Sequence, residues 1–356
     1  MQFPPFPLEE WLSRHEERAR TVLAASGVAP LPVSELPGAG PAGSFGYGEV
    51  PARSDLTEAI ARAYGVTASE VLVTIGGSEA DALVALALVE PGDRVIVETP
   101  TYPPLAAVPQ ALGARVEALP RRHGDGWRLD LDTLEAKLRQ GARYVVLTNA
   151  NNPTGAACDA RALAAVHAMA QEAGAYVLVD EAFRELAFSD LPCARPLGER
   201  FVVTNTLTKS WGLPGLRVGW ILGPAELVAR CRRIKAYLTI ANPPLDQAVA
   251  LSALARRDAI LARNRRLRDD GWRAVEAWLA RQPRLACVRP SGGNTCAPRL
   301  PDGVDDVKFA ERLLLEHDTL VAPGSFLGIP GHLRIGFARP RDEVERGLAA
   351  IDRLLA

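Results

Sequence analysis

Lysine is the scarcest charged residue in this chain. Only four occur among 356 residues, at positions 137, 209, 235 and 308, so arginine supplies nearly all the other positive charge. Arginine does not lose its proton, so amine chemistry is confined to those four positions. Cysteine is sparse too: the five thiols, at 158, 193, 231, 287 and 296, are odd in number and form no C-x-x-C pair. That argues against a zinc site or a disulfide framework and favours inert thiols in a reducing compartment. No apolar run reaches membrane-spanning length; the richest, Ala82–Val89, is about two helical turns long and stops at Glu90-Pro91-Gly92. The opening MQFPPFPLEEW has neither a basic stretch nor a long apolar core, so a secretory signal is not expected and the cytoplasm is. No block of like charge exists, and 41 basic residues balance 42 acidic ones, so neither nucleic acid nor an anionic membrane is an expected partner.

What is present is the composition of a soluble globular protein, 48% hydrophobic and 23% charged, long enough to bury a sizeable core and to exceed one average domain. Between residues 54 and 240, seven Val/Ile-rich runs alternate with helical patterns: 71–76, 94–100, 114–119, 143–149, 175–181, 201–207 and 217–222. The runs are apolar almost throughout, as strands buried on both faces are. Helical stretches such as Ser78–Val89, Leu131–Gln140 and Asp159–Ala173 separate them. The alternation predicts an α/β fold: a large domain with a mostly parallel seven-stranded sheet flanked by helices. After Asn242-Pro243-Pro244 a long amphipathic stretch, Leu245–Arg281, is followed by short strand-like pieces (RLACVRP, NTCAPRL, HLRIGFA) and helices near 305–317 and 341–355. This predicts a smaller α+β domain. The expected boundaries are 1–45 for an N-terminal arm with part of the small domain, 46–244 for the large domain and 245–356 for the C-terminal small domain. Within the arm, Leu8–Ala25 has a helical pattern.

Parallel sheets bind ligands beyond the C-terminal ends of their strands. Five such ends carry polar residues: Gly76-Gly77-Ser78, Thr101-Tyr102, Asn151-Asn152, Asp180 and Thr208-Lys209. Each has an ordinary explanation on its own. A glycine pair makes a tight turn, Asn-Pro-Thr-Gly is a good turn sequence, Asp180 suits a cap or loop, and Tyr102 suits packing. Together they match the needs of a pyridine aldehyde bearing a phosphate. Lys209 is the imine-forming amine, whereas Lys137, Lys235 and Lys308 lie in polar helical patterns that predict solvated faces. Asp180 is a carboxylate for the ring nitrogen. Gly77 and Ser78, opening a helix after a strand, offer backbone N–H groups to a phosphate, with Thr206 and Arg217 as further donors. Tyr102 can stack on the ring.

In order and spacing, NNPTG (151–155), DEAF (180–183), TLTKS (206–210) and GLRVG (215–219) resemble the class I/II aminotransferases, the fold-type I enzymes that use pyridoxal 5'-phosphate. GGSEA (76–80), TPTYPP (99–104) and HLRIGFA (332–338) fit the same scheme, so the resemblance runs from about Tyr47 to Arg339. It implies transamination between an L-amino acid and a 2-oxo acid through an internal aldimine on Lys209. By the same resemblance Asn152 bonds the cofactor's phenolate oxygen, Arg334 grips the substrate carboxylate, and Tyr47 reaches the phosphate of a neighbouring subunit in a homodimer with shared sites. The same constellation supports β- or γ-elimination, or another modification of an amino acid, as the alternative outcome.

Two positions depart from the family pattern. The segment PARSDL (51–56) lacks the usual glycine near Arg53. Phe183 stands where members usually have a tyrosine that donates to the phenolate oxygen, three residues after the aspartate. Losing that donor removes stabilisation from the deprotonated imine, so the imine's pKa is expected to be higher than with a tyrosine there. A spectral pH titration of the parent and of Phe183→Tyr checks this. The variant is expected to titrate at lower pH, and an equal or higher value would contradict the account.

Overall fold

The computed structural model describes residues 2–36 and 48–356. Tyr47 lies outside the described residues. The chain opens with helix α1 (Pro7–His15) and a two-residue strand, β1 (Thr21–Val22). Helix α2 (Ser54–Tyr64) precedes β2 (Val71–Ile75), α3 (Gly76–Leu88), β3 (Arg94–Thr99), α4 (Pro104–Ala111) and β4 (Arg115–Pro120). Then come α5 (Leu131–Arg139), β5 (Tyr144–Thr148), α6 (Ala160–Ala173), β6 (Tyr176–Asp180), β7 (Phe201–Thr206), β8 (Val218–Leu222) and α7 (Ala225–Leu238). The last third holds α8 (Pro244–Ala255), α9 (Arg257–Leu279), β9 (Thr295–Cys296), α10 (Asp306–His317), β10 (Thr319–Leu320), β11 (Ala322–Pro323), β12 (Leu333–Gly336) and α11 (Arg341–Leu355).

The seven strands β2 to β8 form one sheet in the order β2-β8-β7-β6-β5-β3-β4. All run parallel except β8, which is antiparallel to both of its neighbours, β2 and β7. Side chains alternate across a strand, and here both faces are covered. In β5, Val145 and Leu147 join a core with Leu56, Leu134 and Val166 of α2, α5 and α6. Tyr144 and Val146 point the other way, toward Leu83, Leu105 and Val228 of α3, α4 and α7. Burying each such Val or Leu is worth roughly 1.5–3 kcal/mol. A separate apolar cluster joins Leu8, Trp11, Val22 and Leu23 of the N-terminal segment to Trp272, Phe309, Ile335 and Ile351. The three-stranded sheet β11-β12-β9 belongs with it.

The structure corrects several expectations. The helical pattern over Leu8–Ala25 is helix only to His15. Thr21 and Val22 instead pair in parallel with Thr319 and Leu320, because β-branched residues there gain backbone partners and a buried face. The stretch 245–281 is two helices, broken at Arg256, whose φ of −107° and ψ of 18° leave the helical region. Gly271, in the middle of α9, sits against the chain just after β12: a Cβ there would lie 1.7 Å from the carbonyl oxygen of Phe337. RLACVRP (284–290) is not a strand and contributes a single bridge, Ala286 to Arg299.

Lys235 is not on a solvated face either. Its side chain is fully buried and pairs with Glu79 at 3.0 Å. Glu79 also accepts the backbone N–H of Ile75 at 2.5 Å, so this pair ties α7 to the start of α3.

Candidate active site

Strands β2, β3, β5, β6 and β7 all end on the same rim of the sheet, and the loops after them carry the polar residues found in the sequence. Arg217 joins them by a different route. It immediately precedes β8, and since β8 is reversed, its starting end lies on that rim. A cavity of about 400 Å³ opens there, lined by Gly77, Ser78, Tyr102, Asn152, Asp180, Thr206, Lys209 and Arg217. Arg334, on β12, reaches Asn152 at the same place. Every proposed site residue within the described chain is therefore brought together. A larger neighbouring hollow of about 540 Å³, beside Phe3–Phe6 and Phe326, is lined by no titratable side chain. The titratable side chains line the smaller one instead.

The anion-binding corner is built from backbone. Gly76 has φ +75°, and a Cβ on it would meet Arg217 Nη2 at 2.7 Å. The guanidinium thus lies against the first turn of α3, where unpaired N–H groups and the helix dipole favour negative charge. Gly219 permits this closeness from the other side, since its Cβ would meet the Gly76 carbonyl oxygen at 2.7 Å. Arg217 itself adopts the left-handed conformation (φ +47°, ψ 41°), a strain that a non-glycine residue keeps only where its surroundings impose it. Its Nη1 donates to Thr208 Oγ1 at 3.4 Å, and Thr206 Oγ1 lies 2.9 Å from the same hydroxyl.

Across the cavity lie the amine and the carboxylate. Lys209 Nζ donates to Ser26 Oγ at 3.1 Å. Burial, helped by the positive charge of Arg334, lowers its pKa to about 8, against the opposing pull of Asp180. Burial likewise raises the carboxyl of Asp180 to about 6, although the Ala182 N–H and Lys209 favour its charged form. Asn152 is held by the loop around it. The buried Glu98 accepts from Thr148 N, Asn151 Nδ2 and Arg121 Nε, and Asn151 Oδ1 in turn accepts from Thr154 Oγ1 at 2.6 Å. Asn152 itself lines the cavity, and its Oδ1 accepts from Arg334 Nη1 at 3.2 Å.

Arg334 is 1% exposed, yet it has no carboxylate partner among the described residues. One Nη donates to the Ala24 carbonyl, and Nε has no partner among the described residues. Its pKa is lowered to about 10 by burial. A buried guanidinium with an idle N–H calls for an anion. Asp180, a half-buried carboxylate without an ion pair among the described residues, calls for a cation in the same way. A pyridoxal phosphate fits these vacant valences: phosphate at Gly77, Ser78, Thr206 and Arg217, ring nitrogen at Asp180, phenolate oxygen at Asn152 and aldehyde at Lys209. A substrate carboxylate fits Arg334.

The model for class I and II aminotransferases matches residues 41–351. The chain belongs to this family. By family it is a pyridoxal-phosphate-dependent aminotransferase, an enzyme that transfers amino groups. Over 99% of its length it is 37% identical to capreomycidine synthase of Streptomyces vinaceus, covering 94% of that protein. It is 31% identical to an arginine–pyruvate transaminase of Pseudomonas aeruginosa over 86% of the chain and 82% of the relative. Among solved structures, a PLP-dependent aminotransferase from Streptococcus suis superposes with a TM-score of 0.95 at 31% identity, covering 100% of this chain and 98% of that one. The PLP-dependent cyclase OrfR superposes at 0.92 with 30% identity and the same coverage.

Among the residues that line the cavity with the family motifs, the sequence did not single out Phe6, Glu9, Ser26, Asp81 and Thr148. The first three come from the N-terminal segment. Asp81 had a signal, as a lone carboxylate entering the apolar run Ala82–Val89. It accepts from Thr204 Oγ1 at 2.6 Å, and its carboxyl is pushed well above the usual range by burial and by Asp180.

Both aspartates therefore bind protons more tightly in the folded protein than in the unfolded chain. Stability of the cofactor-free protein should fall as pH rises from about 4 through about 6 and beyond. Asp81→Asn keeps the acceptor for Thr204 and removes the charge. At pH 8 the cofactor-free variant is expected to melt about 2 °C or more above the parent by scanning fluorimetry, with the gain vanishing near pH 4.5. An equal gain at both pH values would contradict the assignment.

Proposed function

We propose that this protein transfers the amino group of an L-amino acid to a 2-oxo acid by ping-pong chemistry, with Lys209 as the cofactor's lysine. The observation that carries this reading is one cavity that brings together an amine of lowered pKa, a half-buried carboxylate and a buried guanidinium, none of them ion-paired among the described residues.

Bound pyridoxal phosphate supplies an aldehyde that condenses with amines and a ring that takes up electrons released at the substrate α-carbon. Lys209 Nζ supplies the anchoring amine. Once freed by the incoming substrate, it removes the α-proton; a pKa of about 8 leaves part of it unprotonated near neutral pH. Ser26 Oγ steadies that nitrogen. Asp180 keeps a proton on the ring nitrogen, and Asn152 donates Nδ2–H to the phenolate oxygen. Arg334 fixes the substrate carboxylate, which orients the α-proton toward Lys209. Gly77, Ser78, Thr206 and Arg217 hold the phosphate, and Tyr102 covers the ring.

The active unit in this proposal is a homodimer in the cytoplasm. Val50, Tyr237, Leu238, Ile240 and Leu245 are large apolar side chains exposed near the start of α8, and Tyr237 is 91% exposed. They are the kind of surface a second subunit would cover, and Val50 lies three residues after Tyr47 in sequence. The five free thiols suit a reducing compartment.

A second reading, an amino-acid-modifying cyclase or lyase, is favoured by one observation. The likeness to capreomycidine synthase and to the cyclase OrfR extends over essentially the whole chain. An absorption spectrum before and after addition of L-amino acids separates the two. Conversion to the pyridoxamine form with release of a 2-oxo acid, lost in Lys209→Ala, is the expected result. Consumption of the amino acid without conversion to the pyridoxamine form, with pyruvate or ammonia released or a cyclised product formed in the absence of an oxo-acid acceptor, would move the assignment to the second reading.

A further inference from the structure

The strand that carries Arg334 meets the loops of the seven-stranded sheet at a second place. His332 stands two residues before Arg334 and extends β12 through a bridge to Arg299. Side chains two apart on a strand share a face. Arg334 uses that face to reach Asn152, on the loop after β5. His332 reaches the loop after β4: its ring lies 5.6 Å from that of His123 and 5.6 Å from that of Trp127, and those two rings meet edge-on at 5.5 Å. Trp127 packs with Ala156 from the loops of the large sheet and with Ala297 and Ile329 from around the three-stranded one. Its backbone is left-handed (φ +60°), which a bulky residue keeps only where its surroundings impose it.

The two contacts are tied to one another. Arg121 donates Nη1–H to the Trp127 carbonyl at 3.0 Å and Nε–H to Glu98 at 2.7 Å, and Glu98 is the carboxylate that fixes the Asn152 loop. His332 is 8% exposed, and its Nδ1 lies 3.1 Å from the Pro330 carbonyl, which can only accept. The ring proton therefore belongs on Nδ1. Nε2 is buried without a partner among the described residues, and so is Nε2 of His123. The charged groups felt at His332 are His123, Arg299 and Asp306. Asp306, at the start of α10, accepts from Gly331 N and Ser325 Oγ, and Arg299 pairs with Asp302. Burial, with positive charge on His123 and Arg299, holds the His332 pKa below the usual histidine range, against the pull of the Pro330 carbonyl and Asp306. A second proton on the ring puts an N–H without an acceptor, and a cation, into this contact.

We infer that His332 is a positioning residue for the substrate carboxylate: its neutral ring, packed on His123 and Trp127, seats the face of β12 that presents Arg334, and protonation of the ring unseats it. This rests on the reading of Arg334 as the partner of that carboxylate. Binding through Arg334 is then complete above roughly pH 6.5, the ordinary histidine value, and is lost as pH falls through the lower pKa of His332.

The test uses the holoenzyme and two carbonyl reagents, aminooxyacetate and O-methylhydroxylamine. Both condense with the cofactor's aldehyde, and only the first brings a carboxylate. The ratio of their rate constants, followed by loss of the cofactor's absorption band, isolates what the carboxylate contributes, because pH effects on the shared condensation cancel. Acidification also protonates the acids of the cavity, but that favours a carboxylate and so has the opposite sign. In the parent the ratio is expected to fall about fivefold or more between about pH 8 and about pH 5.5, the lower end of ordinary coupling between linked sites. His332→Gln, which offers an amide N–H in place of the ring N–H and takes up no proton, is expected to give a flat ratio. His123→Gln removes a positive neighbour of His332, so its fall is expected at higher pH than the parent's. A high ratio that stays constant in the parent, or a fall unchanged in both variants, overturns the inference and leaves the reading of the site intact. A ratio near unity at every pH overturns both, since Arg334 then holds no carboxylate.

Discussion

Three charged side chains, the half-buried Lys209 and Asp180 and the fully buried Arg334, face one cavity without an ion pair among them in the described residues. That is the costly feature of this molecule, because burying an unpaired charge is strongly unfavourable. Its signature is the direction of each pKa: Lys209 down to about 8, Asp180 up to about 6 and Arg334 down to about 10. Each group is held in the form it would rather give up. A ligand with an aldehyde, a protonated ring nitrogen and a carboxylated partner relieves all three together.

Such a site has to be held open by the scaffold, and the scaffold does so with buried polar pairs of its own. Glu98 gathers donors from Thr148, Asn151 and Arg121 and thereby fixes the loop that carries Asn152. Glu79 and Lys235 fix the turn into α3, where the phosphate would sit. These pairs are fully satisfied, whereas the groups facing the cavity are not. Rigidity in the support and unmet valence at the centre are what preorganisation requires.

Much of this was legible in the sequence because the residues concerned sit where strands end. Asn152, Asp180, Thr206 and Lys209 follow apolar runs directly, and the rim of a parallel sheet gathers such ends without further information. The reversal of β8 was not legible, since an apolar run carries no sign of its direction, yet it is what delivers Arg217. Lys235 was misjudged because its surroundings, RCRRIKAY, are those of an exposed helix face; only its pairing with Glu79, 156 residues away, shows it to be buried. Thr21–Leu23 looked helical because the preceding charged residues favour helix, and the edge they join is formed some 300 residues later. Ser26 and Asp81 gain their significance only from the distance to groups that the fold brings to them. Whether Lys209 alone is the cofactor's lysine is tested most directly by trapping the imine. The holoenzyme is reduced with borohydride, digested and mapped by mass spectrometry. The account predicts a pyridoxyl group on the peptide containing Lys209 and none on those with Lys137, Lys235 or Lys308. A label on any of those three, with Lys209 unmodified, would contradict it.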